Sequence, residues 1–183
     1  MLKGNLVELR PVSKDDLKHL FKWANDEEIA NLAHGSDSAY QNNNPQEDIE
    51  AFYEKNLTAQ PLWENGRVFI VYTMSTGVPI GKCSYSNLNP VTRAAEIGLS
   101  LGEREYWGRG YGSDIIQTLL KHLFYTLNLE RVQLDTWSGN THALRLYEKT
   151  GFQTEGRLRK NEYVDGAYYD TILMGMLRSE FKL

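Results

Sequence analysis

Cysteine is almost missing from this 183-residue sequence, since it occurs once, at Cys83. A single cysteine excludes an internal disulfide framework, and no spacing of cysteine and histidine indicates a structural zinc site. No run of about 18 apolar residues occurs, which excludes a transmembrane helix. The first residues also lack the apolar stretch of a secretory signal. We therefore expect a cytoplasmic protein with no membrane contact and no bound metal.

An excess of positive charge is also lacking. The formal net charge is -4 and the isoelectric point is about 5.6, which argues against a general nucleic-acid-binding protein. Residues 1–66 carry 12 acidic and 6 basic side chains, whereas residues 67–183 carry 12 and 14. The two parts can therefore face ligands of opposite sign, although solvated surface charge explains the imbalance equally well.

The order of the predicted elements indicates one mixed α/β domain that spans residues 1–183. Residues 31–44 are polar and rich in Asn, Ser and Gly, so we expect a loop there. A helix then begins at Gln46, with Ile49, Phe52 and Tyr53 directed inward. The predicted strands cover residues 5–12, 67–74, 79–86, 93–101, 131–137, 152–158 and 168–177.

Three alternating glycines, Gly108, Gly110 and Gly112, stand between a predicted strand and a long amphipathic helix. Glycine lets the backbone approach a ligand closely, and the N-terminus of a helix adds partial positive charge. Arg109 adds a full positive charge between the first two glycines. This segment therefore predicts a site for a phosphate or a pyrophosphate.

Two common phosphate-binding motifs do not fit the sequence. A Walker loop needs Ser or Thr after its Gly-Lys pair, but Cys83 follows Gly81 and Lys82. A dinucleotide fingerprint needs a third glycine where Ser113 stands. A nucleotide-binding module therefore stays only as an alternative, which a preference for NAD or ATP over coenzyme A would reveal.

Two blocks carry a resemblance to a known family. The first is Glu96 to Leu101 followed by Trp107 to Ser113, and the second is Asn140 to Phe152. In order and separation they resemble the GNAT family of N-acetyltransferases, and the segment from Glu155 to Gly175 is similar to its RimJ/RimL ribosomal-protein branch. The resemblance implies a central, mostly antiparallel twisted sheet of about six to seven strands with helices on both faces. A homodimer is the candidate assembly.

The resemblance also implies acetyl-CoA as co-substrate and a primary amine as acceptor. The backbone around Leu99 and Leu101 would pair with the pantetheine arm as an added strand. Asn140 would contact the pantetheine or adenosine side, and Tyr147 would lie near the thioester sulfur. The remaining cofactor-binding residues would be those of the glycine-rich segment: Trp107, Gly108, Arg109, Gly110, Gly112 and Ser113.

Amine attack on a thioester needs a neutral amine and a proton for the departing thiolate. Tyr147 is the candidate acid, because a phenol pKa of ~10 is close to a thiol pKa of ~8.5; ring packing on an amphipathic helix is the alternative. Glu96 stands 14 positions before Gly110, as the catalytic glutamate does in the histone-acetylating members of the family, so the resemblance makes it the candidate base, acting through a water. The alternative for Glu96 is an outward-facing strand residue.

The acceptor is expected to be cationic or peptidic: a protein N-terminal α-amine, a polyamine or an aminoglycoside. The first helices carry acidic residues that would attract such an amine, namely Asp26, Glu27, Glu28, Glu47, Asp48, Glu50 and Glu54. A non-catalytic acyl-CoA-binding sensor on the same fold is the alternative function. That sensor would keep residues 108–113 but would need neither Tyr147 nor Glu96.

Overall fold

A computed structural model describes residues 1–41, 43–58 and 66–182. These residues form one sheet of eight strands. Alternating apolar residues, which put one side of a strand into the core, explain most of these strands. The strands are β1 Leu2–Lys3, β2 Val7–Pro11, β3 Arg67–Thr73, β4 Pro79–Asn89, β5 Ala94–Leu101, β6 Arg131–Trp137, β7 Gln153–Val164 and β8 Ala167–Leu177.

Helices connect the strands at the two ends of the β3–β5 meander. Before β3 lie α1 Leu17–Ala24, α2 Glu27–His34, α3 Ser38–Gln41 and α4 Gln46–Thr58, and after β5 lie α5 Tyr111–Lys121 and α6 Thr141–Thr150. Single 3-10 turns cover Lys14–Asp16, Gly35–Asp37, Arg104–Tyr106 and Arg178–Glu180, and His122–Thr126 is π-helical. In the described part of the chain no helix is both long and apolar enough to cross a bilayer.

The strand order is β1-β2-β3-β4-β5-β6-β8-β7, and every neighbouring pair except β5 and β6 is antiparallel. The parallel pair is short, because only residues 94–96 of β5 align with residues 131–133 of β6. From Ile97 to Leu101, β5 still pairs with β4. An opening therefore separates β5 from β6 beyond Glu96, in the middle of the sheet.

Apolar side chains are buried on both faces of the sheet. On one face, α5 contributes the fully buried Ile115, Leu119 and Leu120 to a core shared with β2, β3 and β6. On the other face, α1, α2 and α4 pack against Ile70 of β3. A fully buried aliphatic side chain of this size stabilises the fold by about 1.5–3 kcal/mol. The two layers of helices thus hold the opening between β5 and β6 in a fixed frame.

The predicted mixed α/β fold is confirmed. The sheet has one strand more than the predicted strands supply, because the two-residue β1 is too short for an alternating pattern. The sequence Asp165-Gly166 forms a turn between two strands, as its residue types indicate. Asp165 and Gly166 take φ angles of 49° and 81° between β7 and β8, which is the left-handed backbone that a tight hairpin turn favours.

The loop predicted for residues 31–44 is wrong for most of its length. Residues 31–34 complete α2, and Gly35–Asp37 and Ser38–Gln41 form a 3-10 turn and α3; residue 42 lies outside the described residues. Asp26 begins α2 by accepting a hydrogen bond from the Ile29 amide at 3.2 Å. This helix buries Ile29 and Ala30, which is too little apolar periodicity to reveal it from sequence.

Two helices also differ in detail from the prediction, one in the side chains that it buries and one in its geometry. In α4, Ile49 is buried as expected, but Phe52 is 61% exposed and packs edge-on against Tyr53. The helix that begins at Tyr111 is α-helical only to Lys121. It then widens into the π-helical turn, which still buries Leu123 and Phe124 and leaves Leu127 partly exposed.

Candidate active site

The glycine-rich segment forms a tight turn that leads directly into α5. Gly108 and Gly110 have φ angles of 70° and 88°, a left-handed conformation that glycine adopts without strain. Gly110 is the residue that precedes the first turn of the helix. The amide groups of that first turn have no partner within the helix, so they are free to bind an anion.

Asp114 ties the start of the chain to this helix. Its carboxylate accepts hydrogen bonds from the backbone amides of Asn5, Leu6 and Val7 at 3.0, 2.7 and 3.0 Å. The negative charge is thereby directed at the turn before β2.

A cleft of about 470 Å³ opens between this turn, the end of β5 and α6, and we call it the donor cleft. Gly112 lets the two helices approach, because a Cβ there would lie 2.9 Å from Leu146 Cδ2. Apart from Arg109, which is exposed and outside the lining, the donor cleft brings together the residues predicted to bind the cofactor: Leu99, Leu101, Trp107, Gly108, Gly110, Gly112, Ser113, Asn140 and Tyr147.

Exposed cationic and imidazole side chains stand at the α6 side of the donor cleft. They are His142, Arg145 and Lys149, and all three belong to its lining. Among the described residues neither Arg145 nor Lys149 forms an ion pair. With the free amides at the start of α5, they make this cleft suitable for a ligand that carries several phosphates.

Trp107 fixes the end of β5 next to the cleft. Its indole N–H donates to the backbone carbonyl of Leu101 at 3.0 Å. The guanidinium of Arg104 lies 5.7 Å from the centre of its ring. The aromatic side chain thus holds the glycine turn against the unpaired edge of β5.

Asn140 begins α6 and ties it to α2. Its side-chain oxygen accepts from the Ala143 amide at 3.1 Å, and its amide nitrogen donates to the Leu32 carbonyl at 2.8 Å. Both polar atoms are therefore used within the fold, although the residue lines the donor cleft. The predicted helix from Asn140 to Gly151 is confirmed, with Gly151 at a φ of 103°.

Tyr147 lies on the inner face of α6 and is 6% exposed. Its ring packs edge-on against Phe152, with 5.8 Å between the ring centres. Its hydroxyl forms no hydrogen bond with another residue of the described part of the chain and is not sealed from the cleft. Burial and the negative charge of Asp135 raise the pKa of Tyr147 to about 12, so the hydroxyl keeps its proton at neutral pH.

A second cleft, of about 330 Å³, adjoins the donor cleft, and we call it the acceptor cleft. The two share Ala33 of α2 and Leu99 and Ser100 of β5. They meet where β5 has lost β6 as a partner and alternate amides of its edge are free. Two ligands that enter from different sides can therefore meet at Leu99 and Ser100.

Titratable groups from five separate elements line the acceptor cleft. They are His34 at the end of α2, Asp37 in the following turn, Lys82 on β4, Asp135 on β6 and Glu162 on β7. Burial and the charge of Lys82 lower the pKa of His34 to about 4, so this imidazole is neutral at pH 7. Three carboxylates thus face one ammonium group, which favours a cationic ligand.

Glu162 is held as an anion. Its carboxylate accepts hydrogen bonds from the Ser36 amide at 3.0 Å, the Ser36 hydroxyl at 2.7 Å and the Thr171 hydroxyl at 2.7 Å. Burial acts to raise the pKa of Glu162, but these hydrogen bonds outweigh it and leave the pKa lowered. Glu162 therefore fixes the turn after α2 to the end of the sheet.

The pKa of Asp135 is shifted in the opposite direction to that of Glu162. Partial loss of hydration in the cleft, together with the charges of Glu96 and Glu162, raises the pKa of Asp135 above its usual range. A carboxylate with a raised pKa is better suited to accept and release a proton near neutrality. Asp135 is not among the site residues predicted from the sequence, although alternation along β6 places it on the face opposite to that of the buried Val132 and Leu134.

Glu96 lies at the closed end of the opening and outside the lining of both clefts. It is the last β5 residue that pairs with β6, opposite Gln133. Its carboxylate accepts a hydrogen bond from the side chain of Asn87. Glu96 is therefore half-buried beside the acceptor cleft and is close enough to Asp135 to influence it electrostatically.

The acids expected to attract the acceptor lie elsewhere. Glu47 and Asp48 are exposed on α4, outside the cleft. Arg104 forms a double hydrogen bond with Asp26, at 2.8 Å for both contacts, and a further one with Glu28. The part of the chain that the structure describes also contains no cluster of three or more His, Cys, Asp or Glu side chains that could hold a metal ion.

Comparisons with known proteins agree with this geometry. Residues 7–153 match the family described as "Acetyltransferase (GNAT) domain". The uncharacterized N-acetyltransferase p20 of Bacillus licheniformis is 28% identical over 177 residues, which are 96% of this chain and 94% of that protein. The spermidine N(1)-acetyltransferase of Vibrio cholerae serotype O1 is 26% identical over 176 residues, with 96% and 95% covered.

A crystal structure of spermidine N-acetyltransferase from Vibrio cholerae, in complex with CoA and spermine, is similar to the whole fold. The TM-score is 0.83 at 25% sequence identity, and the match covers 97% of this chain and 98% of that one. The chain therefore belongs to the GNAT acetyltransferase family. It is an N-acetyltransferase that takes its acetyl group from acetyl-CoA and transfers it to an amine.

Proposed function

We propose that the acceptor is a small polycationic amine of the polyamine class. The observation that carries this proposal is the acceptor cleft, in which Asp37, Asp135 and Glu162 lie next to the junction with the donor cleft. A polyamine could place one amine at Leu99 and Ser100 while its other ammonium groups face these carboxylates. The similarity to a spermidine acetyltransferase supports the same acceptor class.

Acetyl-CoA would occupy the donor cleft. Its pyrophosphate would contact the turn from Trp107 to Gly110 and the first amides of α5, with Arg109 and Ser113 as further contacts. Its pantetheine arm would pair with the free edge of β5 at Leu99 and Leu101. The thioester would then lie at the junction of the two clefts, because that edge leads directly to it.

Proton transfer would use groups on both sides of the junction. Tyr147 would donate a proton or a hydrogen bond to the departing sulfur, because its hydroxyl is protonated, has no hydrogen-bond partner in the described part of the chain, and belongs to a residue that lines the donor cleft. Glu96 would remove the ammonium proton through a water, with Asp135 between Glu96 and the cleft. Glu96 and Asp135 would act in the same proton relay, so replacing either carboxylate by a neutral amide should slow the reaction.

An acceptor panel tests the substrate class. Coenzyme A release would be followed with spermidine, spermine, an aminoglycoside and a peptide with a free N-terminus. The polyamines should give the highest kcat/KM. Preference for the peptide would instead favour the RimJ/RimL-like activity, for which the resemblance of Glu155 to Gly175 is the support. The cytoplasmic location and the homodimer stay predictions.

Charge variants test the cleft itself. Asp37→Asn should raise KM for spermidine roughly tenfold, because a charged hydrogen bond contributes about 1.5–3 kcal/mol, and should leave KM for acetyl-CoA unchanged. Glu47→Gln is the matched control, since Glu47 is exposed on α4. Equal effects of the two variants would contradict the proposed cleft and would favour general surface attraction.

A further inference from the structure

Lys82 lies at the place where the two clefts meet, although the mechanism above does not use it. On β4 it pairs with Ser100 of β5, and its neighbour Cys83 pairs with Leu99. Neighbouring strands are about 4.8 Å apart, and the flexible four-carbon stem of a lysine can span that distance. The side chain lines the acceptor cleft together with Ser100. Its amine can therefore reach the position proposed for the thioester.

The floor of the cleft leaves space for this movement. Gly98 lies on the same side of β5 as Ser100, and the nearest atom to a Cβ built there is Ser84 Oγ at 3.1 Å. Any larger side chain at Gly98 would fill the space between Lys82 and the opening. Because Gly98 and Ser84 are both small, they leave space between the Lys82 amine and the junction of the two clefts.

The Lys82 ammonium group is not held by an ion pair in the described part of the chain. Three carboxylates line the same cleft, but both oxygens of the Glu162 carboxylate accept hydrogen bonds from Ser36 or Thr171. Asp37 and Asp135 lie beyond salt-bridge distance of Lys82. The side chain can therefore change its position without breaking an ion pair.

Burial of the Lys82 side chain favours its neutral form. Burial lowers the pKa of the Lys82 ammonium, because removal of water penalises the charged form. The groups facing it are the neutral His34 and the carboxylates of Asp37, Asp135 and Glu162. A lysine that loses its proton more readily than an exposed one is a better nucleophile toward a thioester.

We infer that Lys82 is a site of self-acetylation, at which the enzyme transfers an acetyl group to its own cleft when no acceptor is bound. This inference rests on the proposed position of acetyl-CoA. The neutral Lys82 nitrogen attacks the thioester carbonyl carbon, the N–C bond forms and the C–S bond breaks. The second nitrogen proton passes to the sulfur, so that the products are an acetyl-lysine amide and coenzyme A.

Acetylation would change the cleft in a definite direction. The amide carries no charge, so the cleft loses the one ammonium group that its described lining provides. Asp37, Asp135 and Glu162 then face the acceptor without an opposing charge. An amide of this kind does not return its acetyl group to coenzyme A, so the product is a modified enzyme and not an intermediate of turnover.

Mass spectrometry tests the inference directly. The purified protein is incubated with acetyl-CoA without an acceptor, and peptide mapping follows acetylation of each lysine over time. Lys82 should be acetylated at least tenfold faster than the exposed Lys18 and Lys121. The rate should be independent of protein concentration, as expected for transfer within one molecule. Saturating spermidine should slow it, and Lys82→Arg should abolish the fast phase.

Each result decides the inference separately from the proposed function. Acetylation of Lys82 at the same rate as Lys18 and Lys121 would be ordinary solution chemistry and would overturn the inference. Release of acetylspermidine without any modification of Lys82 would also overturn it, while the proposed function would stand. Fast acetylation of Lys82 with no transfer to any amine of the panel would support self-acetylation and remove the proposed acceptor class.

Discussion

Replacement of Gly110 by alanine separates backbone strain from ligand binding. Gly110 has a φ of 88°, and an added Cβ would meet only Leu6 Cδ1 at 3.8 Å, an ordinary contact. The cost is therefore the left-handed backbone, about 1 kcal/mol, which lowers Tm by about 2–4 °C for a chain of this length. Relief of that strain by a shift of the turn should move the amides that hold the pyrophosphate.

The assay is thermal unfolding with and without coenzyme A. At about 100 times Kd the ligand should stabilise the wild type by about 2.7 kcal/mol, or roughly 5–10 °C. If Gly110→Ala weakens binding tenfold, about half of that shift should remain at the same ligand concentration.

Gly77→Ala is the matched control for this experiment. Gly77 has a φ of 66° with no atom within 4 Å of an added Cβ, and it lies in the β3–β4 hairpin turn, away from both clefts. It should lose similar stability but keep the full ligand shift. An undiminished ligand shift in Gly110→Ala would refute the assignment of this turn to phosphate binding.

Three further predictions concern single side chains. Tyr147→Phe should lower kcat about 100-fold and leave the Tm shift caused by coenzyme A unchanged. Tyr125→Phe, at a half-exposed position, is the control and should alter neither quantity. Equal kcat values for Tyr147→Phe and the wild type would exclude Tyr147 as the acid. Because His34 has a lowered pKa of about 4, the unfolded chain binds its proton first, so stability should fall by up to about 3 kcal/mol as pH drops from 6.5 to 4. Denaturant unfolding of His34→Gln should lack that part of the slope, and an unchanged slope would contradict the buried neutral imidazole. Asn140→Ala should lower the free energy of unfolding by about 2 kcal/mol, because the α6 cap and the donor to Leu32 are both lost; a loss below about 0.5 kcal/mol would show that neither hydrogen bond matters.

The donor cleft could be predicted from the sequence because its signals are local. Gly108 and Gly110 supply the left-handed turn, and Asn140 and Gly151 set the limits of α6. Each of these signals acts over a few residues of the chain. The elements that they define are therefore the ones that the structure reproduces with few changes.

The acceptor cleft could not be predicted in the same way. Asp37, Lys82, Asp135 and Glu162 come from four elements spread over 126 positions, and only the packed sheet brings them together. The acidic residues of α4 carry a stronger local signal, but Glu47 and Asp48 lie on its exposed side. Charge density along the chain favoured a cationic acceptor but did not indicate the residues that line this cleft.

Glu96 shows the same limit within a single strand. Its position before the glycine turn agreed with the resemblance, but its distance from each cleft depends on where β5 and β6 separate. That separation follows from the three-residue pairing of 94–96 with 131–133, which no local pattern encodes. Asp135, two positions beyond this pairing, lines the cleft instead.

In the proposed mechanism, donor and acceptor bind in adjoining clefts and react directly at Leu99 and Ser100. Initial rates over a matrix of acetyl-CoA and spermidine concentrations test it most directly. Direct attack in a ternary complex predicts double-reciprocal lines that intersect. Parallel lines, the pattern of a ping-pong reaction through an acetylated enzyme, would exclude direct transfer between the two clefts.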